Sequence, residues 1–160
     1  MKKIFATFLI LFATTFNAWA KIPNTPISLT VKTIDGEIFD LSKTRGKPVI
    51  VVFWVSWCNI CHQEMLVLNS IHQKNKNVEI LALNFDENDE EDDFLKMLKA
   101  LKPSYKIAKF SDAKNNSLPR PAALPMTYIL DKNGVIQKEF SVTNLDTIEQ
   151  DLEKALSSLK

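Results

Sequence analysis

Six consecutive residues, Val49 to Trp54, read Val-Ile-Val-Val-Phe-Trp without a polar break. A β-branched and aromatic run of this length fits a strand covered on both faces, and therefore the centre of a sheet with a layer above and below it. The run is entered through Gly46-Lys47-Pro48, and Cys58 and Cys61 follow it within a few residues. The flanking sequence supplies the rest of an α/β pattern. Ile27 to Val31 alternates as a strand does, Asp35-Gly36 is a hairpin turn, and Ile38 to Leu41 is the return strand. Cys58 to about Lys74 carries Cys61, Met65, Leu68 and Ile71 or His72 at helical spacing. A second buried strand is expected at Val78 to Leu83, a helix through Phe94 to Leu101 ended by Pro103, and a short strand at Tyr105 to Phe110. After a loop containing Pro119, Pro121 and Pro125 come a strand at Met126 to Asp131, an Asn133-Gly134 turn, a strand at Val135 to Phe140 and an amphipathic helix at Leu145 to Leu159. Parallel strands joined by helices, ending in an antiparallel pair, predict one domain with a mixed sheet and helices on both of its faces.

The first twenty residues are set apart from that fold. Lys2 and Lys3 precede a mostly apolar stretch, Ile4 to Ala13, and Ala18-Trp19-Ala20 is a small-x-small cleavage site. This reads as a signal peptide over 1–20, leaving a domain over 21–160. Thr14, Thr15 and Asn17 interrupt the apolar run well short of the ~20 residues a membrane span needs, so a retained anchor is the weaker reading. Cleavage removes two lysines and no acids, taking the formal net charge from +1 to −1. The expected location is periplasmic or otherwise extracytoplasmic, where disulfides persist. A near-neutral charge gives no footprint for nucleic acid, and three glycines leave no material for a phosphate-cradling loop.

Two cysteines are too few for a disulfide scaffold. At the strand–helix junction, Cys58 lies at a helix N-terminus, where unpaired amides and the helix dipole favour a thiolate. A thiolate there is the nucleophile of thiol–disulfide exchange, its pKa held below the free value of ~8.5. Cys61, one turn further in and facing the core, is placed to attack a mixed disulfide. The competing reading is a structural crosslink, but closing so short a loop contributes only ~2 kcal/mol. Redox chemistry is the better account.

The run Val49 to Cys61, with Glu64 three residues on, resembles the TlpA/ResA-like branch of the thioredoxin superfamily, and Leu124-Pro125-Met126-Thr127-Tyr128 resembles that family's cis-proline strand. The resemblance spans most of the chain after residue 20. It implies a thioredoxin-like fold with an N-terminal β-hairpin extension and an exported or membrane-tethered thiol–disulfide oxidoreductase. Reduction of protein disulfides is the implied direction, as in cytochrome c maturation or periplasmic thiol maintenance, with disulfide oxidase or isomerase as alternatives. It further implies protein thiol and disulfide substrates, a membrane electron donor of the DsbD/CcdA type, a monomer, and no cofactor beyond the Cys58–Cys61 disulfide. Trp57, Leu124 and Pro125 are the implied substrate-contacting residues, with Pro125 in the cis form. Trp54 is either part of the apolar surface around Cys58 or core. Where the family usually has a polar residue six before the first cysteine, this chain has Val52, and Leu66 stands where the family tends to have proline. Loss of the strand acid makes Glu64 the nearest acidic candidate for accepting the Cys61 proton; otherwise it is a solvated helix glutamate.

Cys58-Asn-Ile-Cys-His62 also satisfies the c-type haem attachment pattern, which suggests an electron carrier of a different class. A buried strand leading into the motif, and a His62 expected to point to solvent, argue against it. A zinc site from Cys58, Cys61, His62 and His72 is weaker still, because adjacent Cys61 and His62 diverge on a helix; both histidines are expected to be exposed. Seven of the eight residues from Asp86 to Asp93 are acidic. As a calcium loop this run would put Glu91 where glycine is needed and Met97 where glutamate is needed. Acids at the start of a helix with Lys96, Lys99 and Lys102 toward its end suit the helix dipole better.

Overall fold

In the computed structural model of the chain, residues 23–86, 91–141 and 145–159 are described. The leader over 1–20 and residues 87–90 of the acidic run lie outside them. Val49–Trp54 is a strand with all six side chains buried. Counting along the chain, it is β3, preceded by β1 (Thr30–Lys32) and β2 (Ile38–Asp40) and followed by α1 (Asn59–Lys74), β4 (Glu79–Asn84), α2 (Glu91–Leu101), β5 (Lys106–Lys109), β6 (Met126–Leu130), β7 (Ile136–Ser141) and α3 (Leu145–Ser157). The main sheet runs β5-β4-β3-β6-β7, with β3 parallel to β4 and antiparallel to β6. β1 and β2 form a separate antiparallel pair, the expected N-terminal hairpin, although the residues from Ile27 to Leu29 are extended chain outside the strand.

Side-chain alternation along β3 divides the interior in two. Ile50, Val52 and Trp54 share a core with Cys61, Met65 and Leu68 of α1, Phe94 and Met97 of α2, and Ile148 and Leu152 of α3. Val49, Val51 and Phe53 face the other way, into a core closed by Ile27, Leu29, Val31, Phe39, Leu41 and Leu118. Among the described residues the three α-helices therefore cover one face, and the opposite face is covered by the hairpin, the short 3-10 helix Leu41–Thr44 and loops, not by α-helices as the sequence pattern suggested. The reason is geometric. β3-α1-β4 and β4-α2-β5 are parallel crossovers stepping the same way along the sheet, and crossovers of one hand then place both helices on one side.

Local chemistry sets the element ends. Lys102 adopts a left-handed backbone (φ 43°) just past α2, followed by Pro103, which cannot continue the helix. Asp92 and Asp93 lie in the first turn of α2 and Lys99 in its last turn, the arrangement the dipole favours. The hairpin tip is tied to the sheet by Lys106 of β5, whose Nζ donates to Asp35 at 2.7 Å and Glu37 at 2.5 Å. No helix among the described residues is long and apolar enough to cross a membrane.

Candidate active site

β3 carries the chain to Trp54, and the turn Val55 to Cys58 hands it to α1. Cys58 is the N-cap of α1: its backbone is extended (φ −94°, ψ 103°), and its sulfur accepts a hydrogen bond from the Cys61 amide at 3.2 Å. That contact brings one of the helix's unpaired amides onto the sulfur atom expected to carry negative charge. Cys58 and Cys61 are joined in a disulfide, with Cα atoms 5.2 Å apart. The two sulfurs are unequal. Cys58 is half-buried, whereas Cys61 is fully buried within the helix-side core.

Glu64 is not solvated. It is fully buried on the inner face of α1, and its Oε1 accepts from the Thr127 hydroxyl of β6 at 2.5 Å. Its Oε2 has no hydrogen-bond partner. Burial drives its pKa up to about 7, against the opposing effect of the Thr127 hydrogen bond. Thr127 is directly opposite Val52 across the β3–β6 pair. The buried acid on this face of the sheet is therefore carried by the helix packed above it and not by β3, where Val52 stands. The Tyr105 hydroxyl, donating to the Met65 carbonyl at 3.1 Å, closes the same buried region.

The bond Leu124–Pro125 is cis, and Pro125 lies one residue beyond the last β3–β6 pair, Phe53 with Met126, at the end of the sheet that carries the cysteines. Leu124 is half-buried and packs against both cores. Trp57 is 64% exposed beside Cys58. Trp54, by contrast, is fully buried and stacks on Phe94 with ring centres 5.8 Å apart, so it belongs to the core and not to the surface around Cys58.

The histidines also depart from expectation. His62 is half-buried, with Nε2 2.7 Å from the Ser56 carbonyl oxygen, and His72 is half-buried with Nδ1 2.9 Å from the Ser104 hydroxyl. Burial, together with nearby Lys76, lowers the His72 pKa. Both sulfurs of the Cys-x-x-Cys-His run are bonded to each other, Cys61 is enclosed by core side chains, and the His62 ring is engaged, so these residues do not fit haem attachment. Among the described residues no group of three or more His, Cys, Asp or Glu is placed to hold a metal ion.

Sequence reasoning missed a polar cluster beside the turn. Asp86 Oδ1 accepts from the Ser56 amide at 2.8 Å, and its Oδ2 accepts from the Asn84 side chain at 2.8 Å. The signal was Asn84-x-Asp86 closing a buried strand, obscured because Asp86 also opens the acidic run. Thr127, a hydroxyl in an otherwise apolar strand, was a second signal. A groove of about 710 Å³ is lined by Gly46, Pro48, Lys74, Lys132 and Glu153 at the other end of β3 and touches none of these groups.

A family model described as AhpC/TSA family matches residues 22–151. The chain belongs to the AhpC/TSA family. Among curated relatives in this family context, it is 31% identical over 112 residues to the thioredoxin-like protein YneN of Bacillus subtilis (strain 168), covering 68% of this chain and 64% of YneN. It is 28% identical over 142 residues to the thiol-disulfide oxidoreductase ResA of Geobacillus kaustophilus (strain HTA426), covering 79% of this chain and 71% of ResA. A solved structure of a thiol:disulfide interchange protein of the thioredoxin family, from Chlorobium tepidum TLS, superposes with a TM-score of 0.65 at 17% identity, covering 86% of this chain and 99% of that one. The thioredoxin domain of a thiol-disulfide oxidoreductase from Bacteroides vulgatus gives 0.65 at 20% identity, covering 86% and 98%. These likenesses establish the thioredoxin-like fold, and the chain is similar to ResA-type thiol-disulfide oxidoreductases.

Proposed function

We propose that the protein is an exported thiol–disulfide oxidoreductase that reduces protein disulfides through Cys58 and Cys61. The observation that carries this reading is the inequality of the two sulfurs: one reachable and capped onto a helix N-terminus, the other buried one turn below. In the dithiol form the Cys58 thiolate attacks a substrate disulfide, forming a mixed disulfide and expelling the second substrate sulfur as thiolate. The Cys61 thiol gives its proton to Glu64 and attacks Cys58 Sγ. That breaks the mixed disulfide, releases the first substrate sulfur, and leaves the substrate reduced and the protein oxidised. Glu64 suits the step because burial holds its pKa near 7, where it gains and loses protons at neutral pH. In this reading exposed Trp57 and half-buried Leu124 receive the substrate chain, and buried cis-Pro125 sets the course of the backbone between Leu124 and β6.

The reading takes residues 1–20 as a removed signal and 21–160 as the working domain outside the cytoplasm, with a membrane protein of the DsbD/CcdA type returning electrons to the disulfide. Apocytochrome c and other extracytoplasmic thiol proteins are the substrate class.

The test is trapping. Cys61→Ser accumulates mixed disulfides through Cys58, and Cys58→Ser abolishes dithiol-dependent reduction. Full activity in Cys58→Ser would sink the mechanism. The reduction potential decides direction: a value near thioredoxin's ~ −270 mV supports a reductase, and one near ~ −120 mV an oxidase.

A further inference from the structure

His62 and Asp86 take no part in the exchange steps above, yet they grip the same residue from two sides. His62 Nε2 is 2.7 Å from the Ser56 carbonyl oxygen. A carbonyl only accepts, so Nε2 carries a proton in the neutral ring as well as in the imidazolium, and the bond persists in both charge states. The Ser56 amide donates to Asp86 Oδ1 at 2.8 Å. Asp86 is itself fixed by Asn84, which donates to Oδ2 at 2.8 Å and accepts from the Asp86 amide at 3.3 Å. Asn84 is the buried last residue of β4, paired with Trp54 of β3. Ser56 is therefore held by α1 on one side and by the end of the sheet on the other. It is 4% exposed, so water competes little for these bonds.

The consequence falls on Cys58. Fixing the Ser56 carbonyl fixes the plane of the peptide joining it to Trp57, because that peptide is rigid. Only the two backbone dihedrals of Trp57 then separate the gripped plane from the peptide that leads into Cys58. Trp57 is 64% exposed and adds little packing of its own to hold them. Two weaker backbone bonds complete the turn, Cys58 N to Val55 O at 3.3 Å and His62 N to Cys58 O at 3.2 Å. The distance from Cys58 Sγ to the Cys61 amide, 3.2 Å, depends on this turn staying in place.

We propose that His62 and Asp86 are positioning residues for Cys58: by clamping Ser56 they keep the Cys58 sulfur on the Cys61 amide in the first turn of α1 and so stabilise its thiolate. The proposal deepens the preceding reading and rests on Cys58 being the attacking sulfur. A purely electrostatic role predicts something different. Losing the Asp86 charge would by itself make the thiolate easier to form, whereas losing the clamp makes it harder.

The experiment follows alkylation of Cys58 in the reduced full chain by iodoacetamide from pH 4 to 10, with modified cysteines assigned by mass and folding checked by circular dichroism. His62→Ala and Asp86→Ala are expected to move the midpoint of the rate–pH profile upward and to slow alkylation at pH 6 at least fivefold. The limiting rate at pH 10, where the thiolate is fully formed, stays within twofold of the native rate. His62→Gln keeps an N–H donor without the charge, and Asp86→Asn keeps an acceptor without the charge; both are expected to hold the midpoint at or below the native one. A depressed native midpoint that neither alanine variant raises overturns the clamp alone, as does Asp86→Ala moving the profile downward like Asp86→Asn. A native midpoint at the free-thiol value of ~8.5 overturns the activated-nucleophile reading and the clamp with it.

Discussion

Glu64 is a carboxyl group with no route to solvent, one oxygen held by Thr127 and the other without a partner. Ionising it in place leaves a buried charge with a single neutral donor, and for that reason its pKa is raised to about 7 from 4.5. The sign of its effect on stability follows. The folded protein keeps the proton to higher pH than the unfolded chain, so the contribution is fully present below pH 4.5 and is lost as pH rises through 7. Its size is about 3 kcal/mol for a buried group with this shift. Glu64→Gln retains an acceptor for Thr127 and removes the titration. In the oxidised protein, urea midpoints of the native chain are expected to fall between pH 4.5 and 7 more steeply than those of Glu64→Gln. Parallel slopes would show that Glu64 is ionised throughout that range. The same variant is expected to slow release from the mixed disulfide while leaving Cys58 alkylation unchanged. Trp57 is the opposite case. With 64% of its surface exposed, Trp57→Ala is expected to change stability by less than ~0.5 kcal/mol while raising KM for a protein disulfide. An unchanged KM would remove Trp57 from the substrate surface.

Among the elements, the turn between β6 and β7 does more than reverse the chain. The Gly134 carbonyl accepts from the Ile27 amide at 2.8 Å, and Arg45 donates to the Ile27 carbonyl at 3.1 Å, so this turn and the segment before β3 together hold the N-terminal extended chain against the sheet. Gly134 has φ +79°, and a Cβ there would fall 1.6 Å from Arg45 Nη1. Gly134→Ala is expected to cost about 1 kcal/mol for the left-handed backbone, plus about 1 kcal/mol when the displaced arginine releases Ile27. Arg45→Ala loses only the second part. The double variant should therefore be less destabilised than the two single effects added, which urea unfolding of all four proteins measures; strict additivity would separate the two residues. This turn was legible in the sequence as Asn133-Gly134, and so were nearly all the strands and helices, because period-two and period-3.6 patterns depend only on local geometry. The side of the sheet on which each helix lies was not. That depends on the order β5-β4-β3-β6-β7, a long-range property no local pattern carries. At the site, Cys58 and Cys61 were legible from spacing, and Pro125 from its resemblance to a known family. The Glu64–Thr127 and Ser56–Asp86 contacts join residues 63 and 30 apart and needed the fold to bring them together.

Across the whole molecule, the redox site and the layer that makes the sheet stable lie on opposite faces. α1, α2 and α3 cover the side on which Cys61 and Glu64 are buried, while Ile27, Leu29, Val31, Phe39 and Leu41 seal the other with no functional group among them. Each of those five is at most 8% exposed. Burying them contributes on the order of 10 kcal/mol, comparable with the ~5–15 kcal/mol net stability of an entire domain. The N-terminal segment is thus part of the domain and not an appendage to it. A chain beginning at Lys21 is expected to show the same cooperative urea transition as the full chain, followed by tryptophan fluorescence. A chain beginning at Arg45 retains every cysteine, Glu64, His62, Asp86 and Pro125, yet is expected to show no cooperative transition. Without a folded sheet its Cys58 should alkylate with the pH profile of a free thiol. Were the shorter chain to unfold cooperatively with a depressed Cys58 midpoint, the helix-covered face alone would suffice to build the site, and the hairpin would need another explanation.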